Sequence, residues 1–499
     1  MKNKKIEFEK NKIKIELSNS DIKKVDSFFD ELEKKINLPI VFKRQLISDY
    51  LKAFEYYENK NYSIDKIIEL LNLKDIGDFY LNNERKYLEL DNAAIVYPLG
   101  MRQNEMPMFR LSAKLIDNVI PELLQIALDV TIKRFPGFAC TVKNGFFWNY
   151  LETNNRPIQI EEENDIPCKP ISRLSRTYQS FRVLYFKKRI SIEFFHVLTD
   201  GSGGLVFLKT LLREYFRLLG INIPIDNGIL NINGSIDEAE LVNEFKNAKG
   251  SGDFNTFVDG KSLQLKGKRI NAPMSKINHF ILDVNELKSI TKKYNCTVTT
   301  YICALLFIAA KSCVKEKEGP FNIQIPVNMR KFNNSKTLRN YSMYFNAAID
   351  IKDVLNKEDL IIEIGKQIKE KGSLDNMGKM METTGKLINS LAFVPRALKN
   401  IVLQLAYGSF ANSMIGMTLS NLGVIDMPIE LKKQIDKMYF LLSLGSPNRA
   451  SATMATINNS LVFTIAKNSD DDTFENLVYE LLKEDGLKVE LEGSVDYEA

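Results

Sequence analysis

Strand-like and helix-like segments alternate twice along this chain, once from about residue 86 to Gly220 and again from about 273 onward, with a turn-rich stretch between the two runs. This repetition limits the fold more than any other feature, because a hydrophobic core stops growing at roughly 250 to 300 residues and the chain has 499. The expected architecture is α/β (α+β in the looser sense): two lobes, each a mixed sheet with flanking helices. The expected division is 1–85 as an N-terminal helical extension, 86–225 as the first lobe, 226–272 as a crossover linker and 273–499 as the second lobe.

The extension reads as helical. DIKKVDSFFDELEKKI spaces Val25, Phe28, Phe29, Leu32 and Ile36 on one face behind a cap at Ser20 or Asp21. In the first lobe, MPMFRLSAKLI reads as a strand, and DNVIPELLQIALDVTIKRF as a helix ended by Pro136. GFACTVKNGFFWNYLE reads as a hairpin with a two-residue turn at Asn144-Gly145. SFRVLYFKKRISIEFFHV gives two strands, and SGGLVFLKTLLREYFRLLG an amphipathic helix closed by Gly220. The crossover holds DNG, NGS and GSGD turn signals and a short helix opened by Ser235 and Glu238. Strand and helix patterns then resume at INHFILDV, NELKSITKKYN, TVTTYICALLFIAAKSCV, FNIQIPVNMR and NYSMYFNAAIDI.

Composition excludes several classes of partner. The chain carries 68 Lys plus Arg against 63 Asp plus Glu, and the small excess is spread thinly, so no nucleic acid is expected. The lysine-rich opening MKNKKIEFEKNKIKIEL alternates charged and apolar residues, where a signal peptide needs an apolar run; a cytoplasmic protein is expected. No transmembrane segment is expected either: LAFVPRALKNIVLQLAY is interrupted by Pro395, Arg396 and Lys399. It reads as a core helix, with peripheral membrane contact as the second reading. The five cysteines are odd in number and form no CxxC, which suits reduced core thiols. With only two histidines, His196 and His279, no metal site is expected.

His196, Asp200 and Gly201 form HxxxDG where a strand meets a helix. Acyl transfer from a thioester to a hydroxyl or amine needs a group that takes the acceptor's proton as attack proceeds, and a neutral imidazole suits that near pH 7. Asp200, read as an exposed carboxylate, is too weak a base and reads instead as the partner of a cation. Gly201 and the following SGG read as letting the backbone turn sharply beside the histidine. His279 has no such surroundings and reads as an ordinary core or edge residue.

The HxxxDG segment resembles the active-site motif of the chloramphenicol acetyltransferase-like superfamily of coenzyme A-dependent acyltransferases. The resemblance covers residues 86 to about 485 and implies two chloramphenicol acetyltransferase-like lobes, with the motif near mid-chain. It extends to IPVNMRKF, which implies that Arg330 pairs with Asp200, with Asn328 beside the substrate channel. NCTVTTYICALLFIA resembles a helix near the acyl-donor channel. MTLSNLGVI resembles a second-lobe segment bordering the active site, which implies that Ser420 and Asn421 line the channel and that one of them helps hold the oxyanion. Phe195 stands where condensation domains and wax ester synthases carry a second histidine, and SNLGVI where a plant-type DFGWG motif would stand. The alcohol acetyltransferase-like branch is the best match.

The resemblance implies an acyltransferase that moves an acyl group, acetyl above all, from acyl-CoA as co-substrate to a small alcohol or amine. Its catalytic set is His196, Asp200 and Gly201, there is no permanently bound cofactor, and a monomer is expected. Two other readings stay open: a condensation-type transferase fed by a carrier-protein thioester, and a non-catalytic binding protein of the same fold.

Overall fold

The computed structural model describes residues 17–36, 38–72, 86–101, 105–154, 156–172, 179–247, 260–270, 274, 276–399, 414–445 and 448–493. The lysine-rich opening up to residue 16, the GSGD turn, the lobe boundary at 273 and residues 400–407 of LAFVPRALKNIVLQLAY lie outside them. Among the described residues no single helix is long and apolar enough to cross a membrane.

The fold is α/β with mixed sheets. A five-stranded sheet runs in the order β12 (Ile435–Leu442), β2 (Met108–Leu115), β7 (Arg189–Phe195), β6 (Phe181–Phe186), β5 (Glu161–Glu162). A seven-stranded sheet runs β10 (Ser342–Asp350), β9 (Pro320–Asn328), β11 (Met417–Val424), β13 (Ala450–Ile457), β14 (Ser460–Lys467), β8 (Lys276–Asp283), β15 (Val489–Gly493). In it β11 is parallel to both β9 and β13, and the other pairings are antiparallel. A small sheet is formed by β1 (Tyr87–Glu89), β4 (Asn149–Thr153) and β3 (Cys140–Asn144). One strand crosses the division in the chain: β12, from the second half, pairs antiparallel with β2 from Leu442 opposite Phe109 to Ile435 opposite Leu115.

Among the described residues three helices precede the sheets: α1 (Asn19–Lys35), α2 (Ile40–Asn59) and α3 (Ile64–Leu71). Ser18, not Ser20 or Asp21, caps α1, its Oγ accepting from the Asp21 amide. The helices α4 (Pro121–Thr131) and α5 (Gly201–Leu218) follow in the first half. The second half holds α6 (Val284–Lys293), α7 (Val298–Cys313), α8 (Lys357–Lys371), α9 (Leu374–Ser390) and α10 (Thr473–Glu484). Alternation along β7 sends Ile190, Ile192 and Phe194 to one face, where Phe194 joins Phe109, Phe138, Phe181 and Phe207 in a ring cluster with centroids 5.2–6.0 Å from Phe194. A methyl at Gly204 would lie 2.9 Å from Phe109, so glycine there lets α5 settle onto these rings.

Two local expectations differ in detail. Asn144 pairs with Asn149, so the hairpin loop is the four residues Gly145–Trp148 and not a two-residue turn. In the crossover, Asp237 caps the short helix at Glu238–Leu241, displacing the expected Ser235. Cys140, Cys168, Cys303 and Cys313 are buried free thiols, and Cys296 is half-buried and free.

Candidate active site

β7 ends at Phe195, and the next residue leaves the sheet in a tight turn: the His196 amide donates to the Pro107 carbonyl (2.9 Å) and the Leu198 amide to the Phe195 carbonyl (3.0 Å). Four residues on, Asp200 caps α5, its Oδ1 accepting from the Ser202 and Gly203 amides at 3.1 Å each. Its other oxygen accepts from Arg330 Nη1 (2.8 Å), the Tyr341 amide (2.8 Å) and Ser342 Oγ (3.1 Å). The reading of Asp200 as exposed is therefore overturned: it is 2% exposed. Burial alone would raise its pKa, but Arg330 and the amides of Tyr341 and Gly203 outweigh that and hold it below the usual carboxylate range.

Arg330 is fixed in turn by the carbonyls of Thr337 (2.9 Å) and Arg339 (2.5 Å), and it also donates to Asn328 Oδ1 (3.2 Å). Asn328 Nδ2 donates to Ser202 Oγ (3.0 Å). The N-terminus of α5 is thereby tied to the end of β9 and to the 337–342 segment, all from the second half of the chain. Gly201 begins α5 without a left-handed φ, so the expected sharp turn is not its role. A methyl there would lie 3.0 Å from Leu422 of β11. The severe restriction falls on Gly203, where a side chain would run into Thr199 Oγ1 and the Leu338 carbonyl.

The His196 imidazole is half-buried and lies between aromatic rings, stacked on Tyr97 (centroids 4.4 Å, 26° between planes) and edge-on to Phe109 (5.0 Å). Its Nδ1 is 3.0 Å from Asn340 Oδ1. Asn340 spends its donor group elsewhere: Nδ2 donates to Asp91 Oδ2 (3.3 Å) and to the Val197 carbonyl (3.5 Å). The oxygen facing His196 must therefore accept, so Nδ1 carries the proton and Nε2 keeps a free lone pair. Burial lowers the imidazole pKa below its ordinary value, partly offset by a hydrogen bond to its own main chain, by the Asp200 charge and by Asn340. Asp91 itself is fully buried and pushed up to about 6 by that burial, with Arg339 working against the rise.

Asn340, Asp91 and Tyr97 were not singled out in the sequence. The only trace of them is the asparagine of KTLRNYSMYF, ten residues after Arg330, and the aspartate of LELDNAAIVYP. Ser420 and Asn421 lie on β11 beside Leu422. Asn421 Nδ2 donates to Thr299 Oγ1 at the start of α7 (3.0 Å), and its Oδ1 accepts from the Gly423 amide (2.7 Å). Neither hydrogen-bonds His196 among the described residues. His279 is buried, paired through Nδ1 with Thr464 Oγ1 (2.7 Å), and burial drives its pKa to about 3. Among the described residues no group of three His, Cys, Asp or Glu side chains is placed to hold a metal ion.

No family model matches this sequence, and no curated protein matches it. Solved structures do. Fusarium sporotrichioides TRI101, complexed with coenzyme A and T-2, aligns with 81% of this chain and 99% of its own length at 11% identity and a TM-score of 0.53. Trichothecene 15-O-acetyltransferase TRI3 from the same fungus aligns with 79% of this chain and 93% of its own at 12% identity and a TM-score of 0.52. The epimerization domain from the third module of tyrocidine synthetase B aligns over 81% and 95% at 10% identity and a TM-score of 0.53. At such identities the likeness establishes the fold, a two-lobed α/β architecture common to acetyltransferases and a peptide-synthetase domain.

Proposed function

From that shared fold, we propose that the chain is a coenzyme A-dependent acyltransferase that moves an acyl group, acetyl above all, to the hydroxyl or amine of a small acceptor, with His196 as general base. The observation that carries this reading is the fixed tautomer of the imidazole. Asp91 orients Asn340, Asn340 holds the Nδ1 proton, and Nε2 is left basic beside the junction of the two halves. A base whose pKa is pulled below its ordinary value is neutral and ready at pH 7.

In the proposed reaction the acceptor's O–H or N–H lies against Nε2. As its lone pair attacks the thioester carbonyl, its proton passes to Nε2, giving a tetrahedral oxyanion and an imidazolium. Collapse re-forms the carbonyl, breaks the carbon–sulfur bond and expels coenzyme A as a thiolate, which takes the proton back from Nε2 and leaves as thiol. Asp200 and Arg330 do not touch the reacting atoms; they hold the loop that presents the imidazole. Ser420 and Asn421, at the mouth of β11 beside α7, line the donor side.

The test is thiol release from a series of acyl-coenzyme A thioesters with pooled alcohols and amines. His196→Ala is expected to reduce turnover about 100- to 10,000-fold with melting temperature unchanged. Near-normal turnover by that variant with any acyl-coenzyme A defeats the proposal. A second reading keeps the same base but takes the acyl group from a carrier-protein thioester. The equal TM-scores of TRI101 and the synthetase domain favour neither donor, whereas Phe195, in place of a second histidine, weighs toward free coenzyme A. Matched assays with free and carrier-bound thioester separate the two.

A further inference from the structure

Asp91 lies two residues beyond β1 with no exposure to water, and its neighbours Asn340 and Arg339 are 1% and 9% exposed. Its Oδ1 accepts from the Ala94 amide (2.7 Å), which leaves Oδ2 to face the 337–342 segment. There Oδ2 meets Asn340 Nδ2 at 3.3 Å and Arg339 Nε at 3.7 Å. The guanidinium is held in place by the carbonyls it donates to, those of Glu89 and of Leu241 (3.4 Å). A cation, a carboxylate, an amide and the imidazole of His196 thus stand in one buried row.

A carboxyl removed from water stays ionised only where a counter-charge or donors compensate its lost hydration. Burial pushes Asp91 up to about 6 even with Arg339 working against the rise, and the charge of Asp200, itself paired with Arg330, adds to it. With the guanidinium gone, Asp91 takes a proton at neutral pH. That proton goes to Oδ2, because Oδ1 is engaged by the Ala94 amide.

The change reverses the direction of every hydrogen bond that follows. An ionised carboxylate only accepts, whereas a protonated one donates. Oδ2 then donates to the amide oxygen of Asn340, and the amide turns over to meet it, presenting Nδ2 to His196. Nδ1 of the imidazole has to accept, so the ring gives up its Nδ1 proton to water and takes one at Nε2. No lone pair is left at Nε2 for the acceptor's proton. The Val197 carbonyl, 3.5 Å from Asn340 Nδ2, is too distant a partner to hold the amide against this.

We propose that Arg339 is a positioning residue for the base: its charge, acting on Asp91, fixes the orientation of the Asn340 amide and through it the tautomer of His196. The proposal rests on the reading of His196 as general base, but its first test needs no turnover. The chain has two histidines, so full-length protein labelled with 15N-histidine gives two sets of imidazole nitrogen resonances, and His196→Ala assigns them. At pH about 7.5 native His196 is expected to be neutral with its proton on Nδ1. Arg339→Gln, which keeps an amide donor for the carbonyls and loses the charge, is expected to carry the proton on Nε2 in most molecules. Its kcat is expected to fall at least about tenfold with little change in KM for acyl-coenzyme A. Arg339→Lys, which keeps the charge and loses the fork, is expected to hold the native tautomer. A folded Arg339→Gln with the native tautomer overturns the proposal and leaves His196 as base untouched. Loss of the native tautomer in both variants overturns it too, since the bonds to carbonyls and not the charge are then responsible. An altered tautomer with unchanged kcat removes His196 as base, and the proposal with it. Native protein supplies a check that needs no folded variant: the 13C shift of the Asp91 carboxyl is expected to be that of a carboxylate at the same pH, and a protonated acid there overturns the proposal.

Discussion

Because the Asn340 amide donates through Nδ2 to Asp91 and to the Val197 carbonyl, only its oxygen is left to face His196, and removing that oxygen affects the imidazole in two ways. The ring loses the contact that selects the Nδ1–H tautomer, so the fraction of molecules with a basic Nε2 falls. It also loses a hydrogen bond that favours the charged ring, so its pKa drops further. For the native protein, whose imidazole already titrates below its ordinary value, the acid limb of kcat/KM is expected below pH about 6.5. In Asn340→Ala the plateau of kcat is expected to fall about tenfold or more while KM for acyl-coenzyme A stays put, and the acid limb is expected to move to lower pH still. A pH–rate profile of both proteins checks this. An acid limb in the same place, or one displaced upward, removes Asn340 from its positioning role and leaves it a purely structural residue.

Between elements, the N-terminal helices meet the first lobe through an unusual pair of acids. Asp49 of α2 and Asp129 of α4 line the same small crevice, each bonded to a glutamine of its own helix, Gln45 at 3.0 Å and Gln125 at 3.2 Å. Burial pushes Asp49 up to about 7, and burial together with the Asp49 charge raises Asp129. A carboxyl whose folded pKa exceeds its unfolded one binds protons in the folded state that the unfolded state has released. The stability that Asp49 contributes is therefore expected to fall as pH rises from about 4 to 7. Asp49→Asn, which keeps the shape and removes the charge, is expected to gain on the order of 2–4 kcal/mol at pH 8 and close to nothing near pH 4. Thermal melts at the two pH values check this, and a variant less stable than native at pH 8 refutes it. Such pairings are where sequence patterns run out. The 3.6- and 2-residue periods place α4, α5, β2, β7, β8 and β9 in the chain because each is a local property. Nothing periodic joins Asp49 to Asp129, or β12 to β2 some 320 residues away, because a strand's alternation states which face is buried and not which neighbour it pairs with. The site divides the same way. His196 stands out because Asp200 and Gly201 follow it where a strand pattern gives way to a helix pattern, and only the resemblance tied Arg330 to Asp200. Asn340 went unseen because its importance lies in the orientation of one amide.

At the scale of the whole molecule, the fold joins its halves through contacts that a boundary drawn along the sequence would cut, the β2–β12 pairing and the Asp200–Arg330 pair among them. β2 is buried along nearly its whole length and lies between β7 and β12, so a first lobe without residues 435–442 presents Phe109, Leu111 and Ala113 on an open strand edge. The same cut strips Arg330 from Asp200, leaving a buried carboxylate that had been held ionised by its partner, a loss typically worth about 3–5 kcal/mol. Either defect is large beside the stability of an ordinary domain, about 5–15 kcal/mol. Residues 86–225 expressed alone are therefore expected to aggregate or to stay molten, with near-ultraviolet circular dichroism lost and no cooperative melt. Adding the second half in trans supplies both β12 and Arg330 and is expected to recover soluble protein. A monomeric first lobe that unfolds cooperatively without its partner contradicts this directly: neither the borrowed strand nor the Asp200–Arg330 pair would then be needed to complete that lobe. The turn that presents His196 would be stable by local contacts alone.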